Sequence, residues 1–543
     1  MRKGGYILLL LALLLSSFAF YRGFEDLYLL SDDFSLLVVA REAPLSSSSL
    51  LWSNSFLRPL VLFSLYWDHS IWGQDAFGYH FSNVLFHALA TVLVFLLSHL
   101  LLSKYSSPSH ALGGALSSAL LFASLACHCE AVAWVSGRCD LLATLASLSY
   151  LYFGLRFLEG SYIGECIGYL LLALLALILA LASKESAITM PLVIIPWIYV
   201  HLASLRPRDC SRKPAGILFF ASLVILIFYL FLRWYFLSSV VAGYGEDVHL
   251  SFPPYRIARN VFVMTASFLL PSQASLRLFF LLAVLLLGAV FLLIFRFFAK
   301  PGGWSEKKLL LGLIASLGLT LLPVLNLWLC FYDGQGERLL YLPSVFAVQI
   351  LVCLLLFSSR SLKGCILLCL VLVFFQDHSL RWKMQHWKQA SRIVLGTLKC
   401  FDSSFSSDYS PDPKAESLLI LNLPDSCNGA YVYRNGFSQS LEWFYGSEPP
   451  EIRLLSTHTV SSPRSPVSLT IEGARKRLSL ELKGAREGFS DHVKRLARAS
   501  ECFELLSFSR RRLELRIENS PRDREILYYT QGILKDLDEE RLE

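Results

Sequence analysis

Long apolar runs alternate with short polar connectors over roughly the first 380 positions. Runs near the length of a membrane span occur at about 6–22, 80–103, 111–126, 140–157, 163–183, 187–203, 215–237, 277–298, 309–329, 340–358 and 364–378. About 20 apolar residues of helix cross the hydrocarbon core, so these runs predict eleven transmembrane helices. Segment 256–272 carries Arg256, Arg259 and Pro271. It predicts an interfacial or re-entrant helix rather than a span. After Phe375 the pattern changes. Asp377 to Lys388 (DHSLRWKMQHWK) is amphipathic, basic and Trp-bearing, as at a membrane surface. Further on, Ser417–Asn422 and Val467–Ile471 read as strands, with alternation in Leu478–Leu482 and Leu513–Ile517. Ser490–Leu506 reads as an amphipathic helix. The expected fold is an α-helical polytopic membrane protein of about eleven spans with a small C-terminal α+β soluble domain. The expected domains are 1–390, containing an outer loop 23–79, and 400–543. Met1–Phe20 has a charged start and is read as a retained helix rather than a cleaved signal.

Composition strengthens the membrane reading. The chain is 55% hydrophobic and 17% charged, against about 25% charged in soluble proteins. Basic connector residues such as Lys104, Arg156, Arg206, Lys307 and Lys308 fall on one side when the N-terminus is cytoplasmic. This positive-inside bias places the C-terminal domain on the other side by parity. Without a retention or sorting signal, the bacterial inner membrane is the expected location. The net charge of +7 is dispersed over connectors, so no nucleic-acid partner is expected. No glycine-rich phosphate loop follows a strand, which argues against a nucleotide-driven enzyme. The twelve cysteines form no CxxC pair. Cys127-His128-Cys129 has no second ligand pair nearby, and no metal is expected.

The outer connectors gather the polar motifs. In Asp32-Asp33, one carboxylate deprotonates an acceptor hydroxyl while its neighbour orients the acceptor or binds a cation; the alternative is a solvated loop or helix cap. In the run from His128 to Asp140, Arg138 grips a phosphate through its planar fork or bridges to Asp140 or Glu130. His128 by itself fits a hydrogen-bonded structural residue as well as a base. Lys184 and Glu185 pair with each other or reach substrate. Arg338 binds an anionic headgroup or snorkels to lipid phosphate. Arg233 lies in the outer part of a span, with no partner evident in the sequence. Tyr79, His80, Asn83 and His87 share one helical face, available to a cavity or to interhelical hydrogen bonds.

The order of these motifs resembles a known family. An acidic pair follows the first span, then RPL at 58–60, GYHFSNVLFH at 78–87, HCEAVAWVSGRCDLL at 128–142, SKESAITMPL at 183–192 and GERLLYLPS at 336–344. Together they resemble the polyprenyl- or dolichyl-phosphate-sugar-dependent O-mannosyltransferases of the GT-C superfamily, over roughly residues 1–390. The nearest branch often carries tetratricopeptide repeats after the membrane domain; here no such pattern follows. The HPxHxEAV of that branch retains its second His only, as His128. The resemblance implies an inverting glycosyltransferase with a lipid-phosphate-linked sugar as donor and no resident cofactor or metal. Its partners are membrane lipid, a polyprenyl-phosphate sugar and a hydroxyl acceptor on protein or glycan. It implies Asp32 as general base, Asp33 as its acceptor-orienting partner, and Arg138 and Arg338 as stabilisers of the leaving phosphate. His80, His128, Glu130, Asp140, Lys184 and Glu185 form the supporting shell, and Arg58 fixes the first loop. Two other readings stand beside it: a flippase for lipid-linked sugars, and a scaffold whose transferase site has decayed.

Overall fold

The computed structural model describes residues 3–41, 56–160, 162–202, 213–238, 254–270, 276–300, 303–327, 329–330, 333–359 and 361–405, then 417–446, 451–454, 456–462, 467–472, 477–482, 488–489, 503–509, 511–517, 524–530 and 533–536. The chain divides into two compact units. The first comprises Met1–Glu25, Glu42–Ile71 and Gly78–Met384; the second comprises Asp26–Arg41, Trp72–Phe77 and Gln385–Glu543.

The first unit is helical. Among the described residues, nine helices are long and apolar enough to cross a membrane. A tenth arises if the bent pair Pro108–Ser124 and Ala126–Ala133 counts as one span, and Gly4–Phe20 is a shorter apolar helix. These elements match the apolar runs of the sequence, and the protein is a multi-pass membrane protein. Helix Pro254–Ser267 has 14 residues. At 1.5 Å per residue it reaches only about 21 Å, too short to span. The surface-seeking stretch 377–388 continues the preceding span without a break, in one 44-residue helix, Leu362–Phe405.

Small residues set the packing of the central helices. Gly113 and Gly114 of Pro108–Ser124 face Leu362 and Leu356, and an added Cβ at either would meet those side chains. The connector from Leu125 to Asp140 is not a solvated outer loop. Every residue in it is buried, folded as a short helix, Cys129–Ala133, between single turns at Ala126–His128 and Val135–Gly137. Gly137 sits so close to the Ala131 backbone that any side chain there would collide with it.

The described strands lie in the second unit, in three four-stranded sheets. In the first, Ser417–Ile420 pairs in parallel with Arg524–Thr530 and with Glu451–Leu454. The second is antiparallel: Val467–Glu472, Arg477–Leu482, Arg512–Ile517 and Phe503–Phe508. The third is built on Leu423–Cys427 and Thr457–Val460. The strands expected at 417–422, 467–471, 478–482 and 513–517 are present. The helix expected at 490–506 is not formed at its C-terminal end, because Phe503–Phe508 pairs with Arg512–Ile517; residues 490–502 lie outside the described residues.

Candidate functional site

The acidic pair opens helix Asp32–Arg41, and both carboxylates stand in its first turn, where the helix dipole favours negative charge. The two are not equivalent. Asp33 is fully buried, and its Oδ2 accepts a hydrogen bond from the Leu30 N–H at 2.9 Å. Asp32 is half-buried, and its Oδ1 accepts from the Asn435 amide at 2.7 Å. Ser31, just before them, adopts a left-handed φ of 50°, a conformation that costs of order 1 kcal/mol in a non-glycine residue. Neighbours hold it there. Its N–H donates to the Val432 carbonyl at 2.9 Å, and its hydroxyl accepts from the Asn435 N–H at 3.3 Å. Gly436, at φ 75°, lies against the Ser31 carbonyl, where a Cβ would intrude. The bland reading of the pair as a helix cap therefore describes Asp33 in part, but as a buried residue rather than a solvated one.

The other predicted residues belong to the first unit, where the charged ones form ion pairs. Arg138 is wholly buried. Its Nε donates to Asn83 Oδ1 at 2.8 Å, and its Nη2 donates to the Tyr79 carbonyl at 2.9 Å and meets Asp68 Oδ2 at 2.6 Å. Arg138 is thus buried in an ion pair with Asp68. Lys184 reaches a carboxylate distant in sequence. Its Nζ donates to both carboxylate oxygens of Asp140, at 2.6 and 2.7 Å. Glu185 takes a two-pronged bond from Arg58, at 2.7 and 3.1 Å, and Arg58 also covers the Phe56 ring.

Arg338 is the more accessible of the two arginines expected at a phosphate. About 24% of its side chain is exposed. It pairs with Glu130, whose second oxygen accepts from the Arg338 N–H at 3.0 Å, and its guanidinium lies 5.0 Å over the Trp134 ring. Beside it, Glu337 and Lys383 form a buried pair. His128 is buried and hydrogen-bonds Ser344 at 2.8 Å. His80 is buried. Asn83 and His87 serve interhelical bonds, as the alternative reading had it: Asn83 donates to the Val132 and Trp134 carbonyls, and His87 meets the Tyr341 hydroxyl at 2.6 Å. Arg233 is buried beside the Tyr229 hydroxyl.

Two residues of these networks escaped the sequence reading. Asp68 stands alone in the apolar helix Pro59–Trp72; an isolated carboxylate in such a helix is itself a sign of a buried cationic partner. Asn435 precedes Gly436, and the dipeptide signals a turn but carries no hint of what the side chain holds. Among the described residues, no group of three or more His, Cys, Asp or Glu side chains gathers as a metal site.

No protein-family model matches the chain. Three similar proteins are named O-mannosyl-transferases. Drosophila melanogaster Tmtc2 is 37% identical over 155 residues, 28% of this chain and 15% of that one. D. melanogaster Tmtc1 is 36% identical over 138 residues, 25% and 15%. Mus musculus TMTC1 is 32% identical over 143 residues, 25% and 14%. The matched part spans about 15% of the length of these relatives. A crystal structure titled ArnT from Cupriavidus metallidurans bound to undecaprenyl phosphate aligns with TM-score 0.47 at 9% identity, over 95% of this chain and 98% of that one. Over about a quarter of its length, the chain is thus 32–37% identical to proteins named O-mannosyl-transferases.

Proposed function

We propose that the protein is a membrane glycosyltransferase that moves a sugar, mannose by its resemblance, from a polyprenyl-phosphate donor to a hydroxyl acceptor on protein or glycan. The carrying observation is the division within the acidic pair: Asp33 is buried and bonded to backbone, while Asp32 stays half-buried at the start of its helix. One carboxylate is spent on holding the turn, and the other remains placed to act as a base. Asp32 takes the proton of the acceptor hydroxyl. The acceptor oxygen then attacks the anomeric carbon from the face opposite the leaving group, and the lipid phosphate departs with the bonding electron pair. Within the first unit, Arg338 is partly exposed and held by Glu130 and Trp134, and the resemblance makes it the candidate for an anionic lipid headgroup. Arg138, the other arginine that the resemblance assigns to the phosphate, is wholly buried against Asp68 and Asn83. No resident cofactor enters this reading, because the donor carries its own leaving group. The charge asymmetry of the connectors supports a site on the non-cytoplasmic side of the membrane. The named relatives are animal proteins, so the membrane is specified here only as one that holds polyprenyl-phosphate sugars.

The test is transfer of radiolabelled sugar from polyprenyl-phosphate donors in membranes that express wild type or Asp32→Asn at equal level. Transfer by wild type and its loss in the variant is the expected result. Equal transfer by both removes Asp32 from the mechanism, and no transfer by wild type from any such donor overturns the proposal.

A further inference from the structure

We propose that Asn435 is a positioning residue for Asp32, so that the C-terminal module supplies part of the transferase site rather than an appendage to it. This rests on the transferase reading above. Within the second unit, the segment from Val432 to Gly436 engages the acidic turn at four places. The Asn435 side-chain amide donates to Asp32 Oδ1 at 2.7 Å, and its backbone N–H donates to the Ser31 hydroxyl at 3.3 Å. The Val432 carbonyl accepts from the Ser31 N–H at 2.9 Å. Gly436 closes against the Ser31 carbonyl, at a spot that admits no side chain.

Each contact has a separate consequence. The backbone bonds hold Ser31 in its left-handed conformation, which sets where the helix begins. The amide fixes the rotation of the Asp32 carboxyl plane. A donor on a carboxylate also favours its ionised form, which is the form a general base needs. A purely structural lock would need only the backbone bonds and the glycine. The side-chain bond to the half-buried carboxylate is the part that points to chemistry.

The experiment compares full-length wild type, Asp32→Ala, Asn435→Ala and Asn435→Asp in the same transfer assay, with rates taken across pH and melting temperature recorded for each. Asn435→Ala is expected to lower kcat roughly 10- to 100-fold, with little change in KM, through loss of one charge-assisted hydrogen bond and of orientation. The acid limb of its pH profile moves to higher pH. Asn435→Asp keeps the shape but sets a second negative charge beside Asp32, and the limb moves further in the same direction. If Asp32→Ala is inactive while Asn435→Ala keeps the wild-type kcat and pH limb, the role of Asn435 is overturned and the transferase reading stands. A fall in kcat that follows the loss of folded protein, with the limb unmoved, also overturns it. If Asp32→Ala transfers like wild type, or wild type transfers nothing, the transferase reading fails and this role fails with it.

Discussion

The charged residues of the first unit and the acidic pair of the second solve opposite problems. In the first unit, charges are buried and matched: Arg138 with Asp68, Lys184 with Asp140, Arg58 with Glu185, Lys383 with Glu337. Such pairs offset a large desolvation cost, and they leave little for a ligand. In the second unit, Asp32 keeps part of its surface and accepts a hydrogen bond from the Asn435 amide. The contrast teaches that motif residues which look alike in sequence differ sharply in burial and in partner once folded. Arg338 falls between the two, paired yet partly exposed.

The comparison is broken most directly at Asp32. Asp32→Asn is expected to lower transfer by roughly 10²- to 10⁴-fold, as for loss of a general base, with normal protein level and melting temperature. The bracing side predicts the reverse. Arg138→Met strands the Asp68 carboxylate, and breaking a buried pair costs about 3–5 kcal/mol. Thermal unfolding of the purified protein should show that loss, and the double variant Arg138→Met/Asp68→Leu should recover much of it. Arg338→Ala should separate the two kinds of charge further. A fall in kcat of about 10²-fold is expected with a smaller loss of stability, because the side chain is partly exposed.

The smallest effect concerns His458, a fully buried residue of the third sheet. Burial lowers its pKa to about 4 from the ordinary 6.5. The unfolded chain therefore takes up a proton near pH 6.5 that the folded chain resists until about pH 4. Stability is intact above that window and falls as pH drops through it, by roughly 1 kcal/mol per pH unit. Unfolding monitored between pH 7 and pH 4 should show this slope, and His458→Gln should flatten it.

The membrane fold was legible because a span must be a long apolar run, and each run became a helix. Pro254–Ser267 was legible for the same reason in reverse, through its charges and its length. The strands at 467–472 and 477–482 were legible from alternation, whereas Phe503–Phe508 was not, since FELLSF has no clean period and its pairing with Arg512–Ile517 decides its state. The charged motif residues were visible in the sequence, but their partners were not. Lys184 and Glu185 are adjacent in sequence, yet their bonds run to Asp140 and Arg58, 44 and 127 positions away. Asp68 and Asn435 went unseen because a side chain's partner is fixed by tertiary packing, to which local periodicity is blind.

The bond from Asn435 to Asp32 spans 403 positions of the chain. At about 5–20 residues per second, the ribosome needs on the order of 20–80 s to travel that distance. The acidic turn is thus among the first parts of the protein to be made and among the last to be completed. During that interval the growing chain carries Asp32 without the amide that bonds it, so a chain cut short before residue 435 would reach the membrane with an unfinished acidic turn.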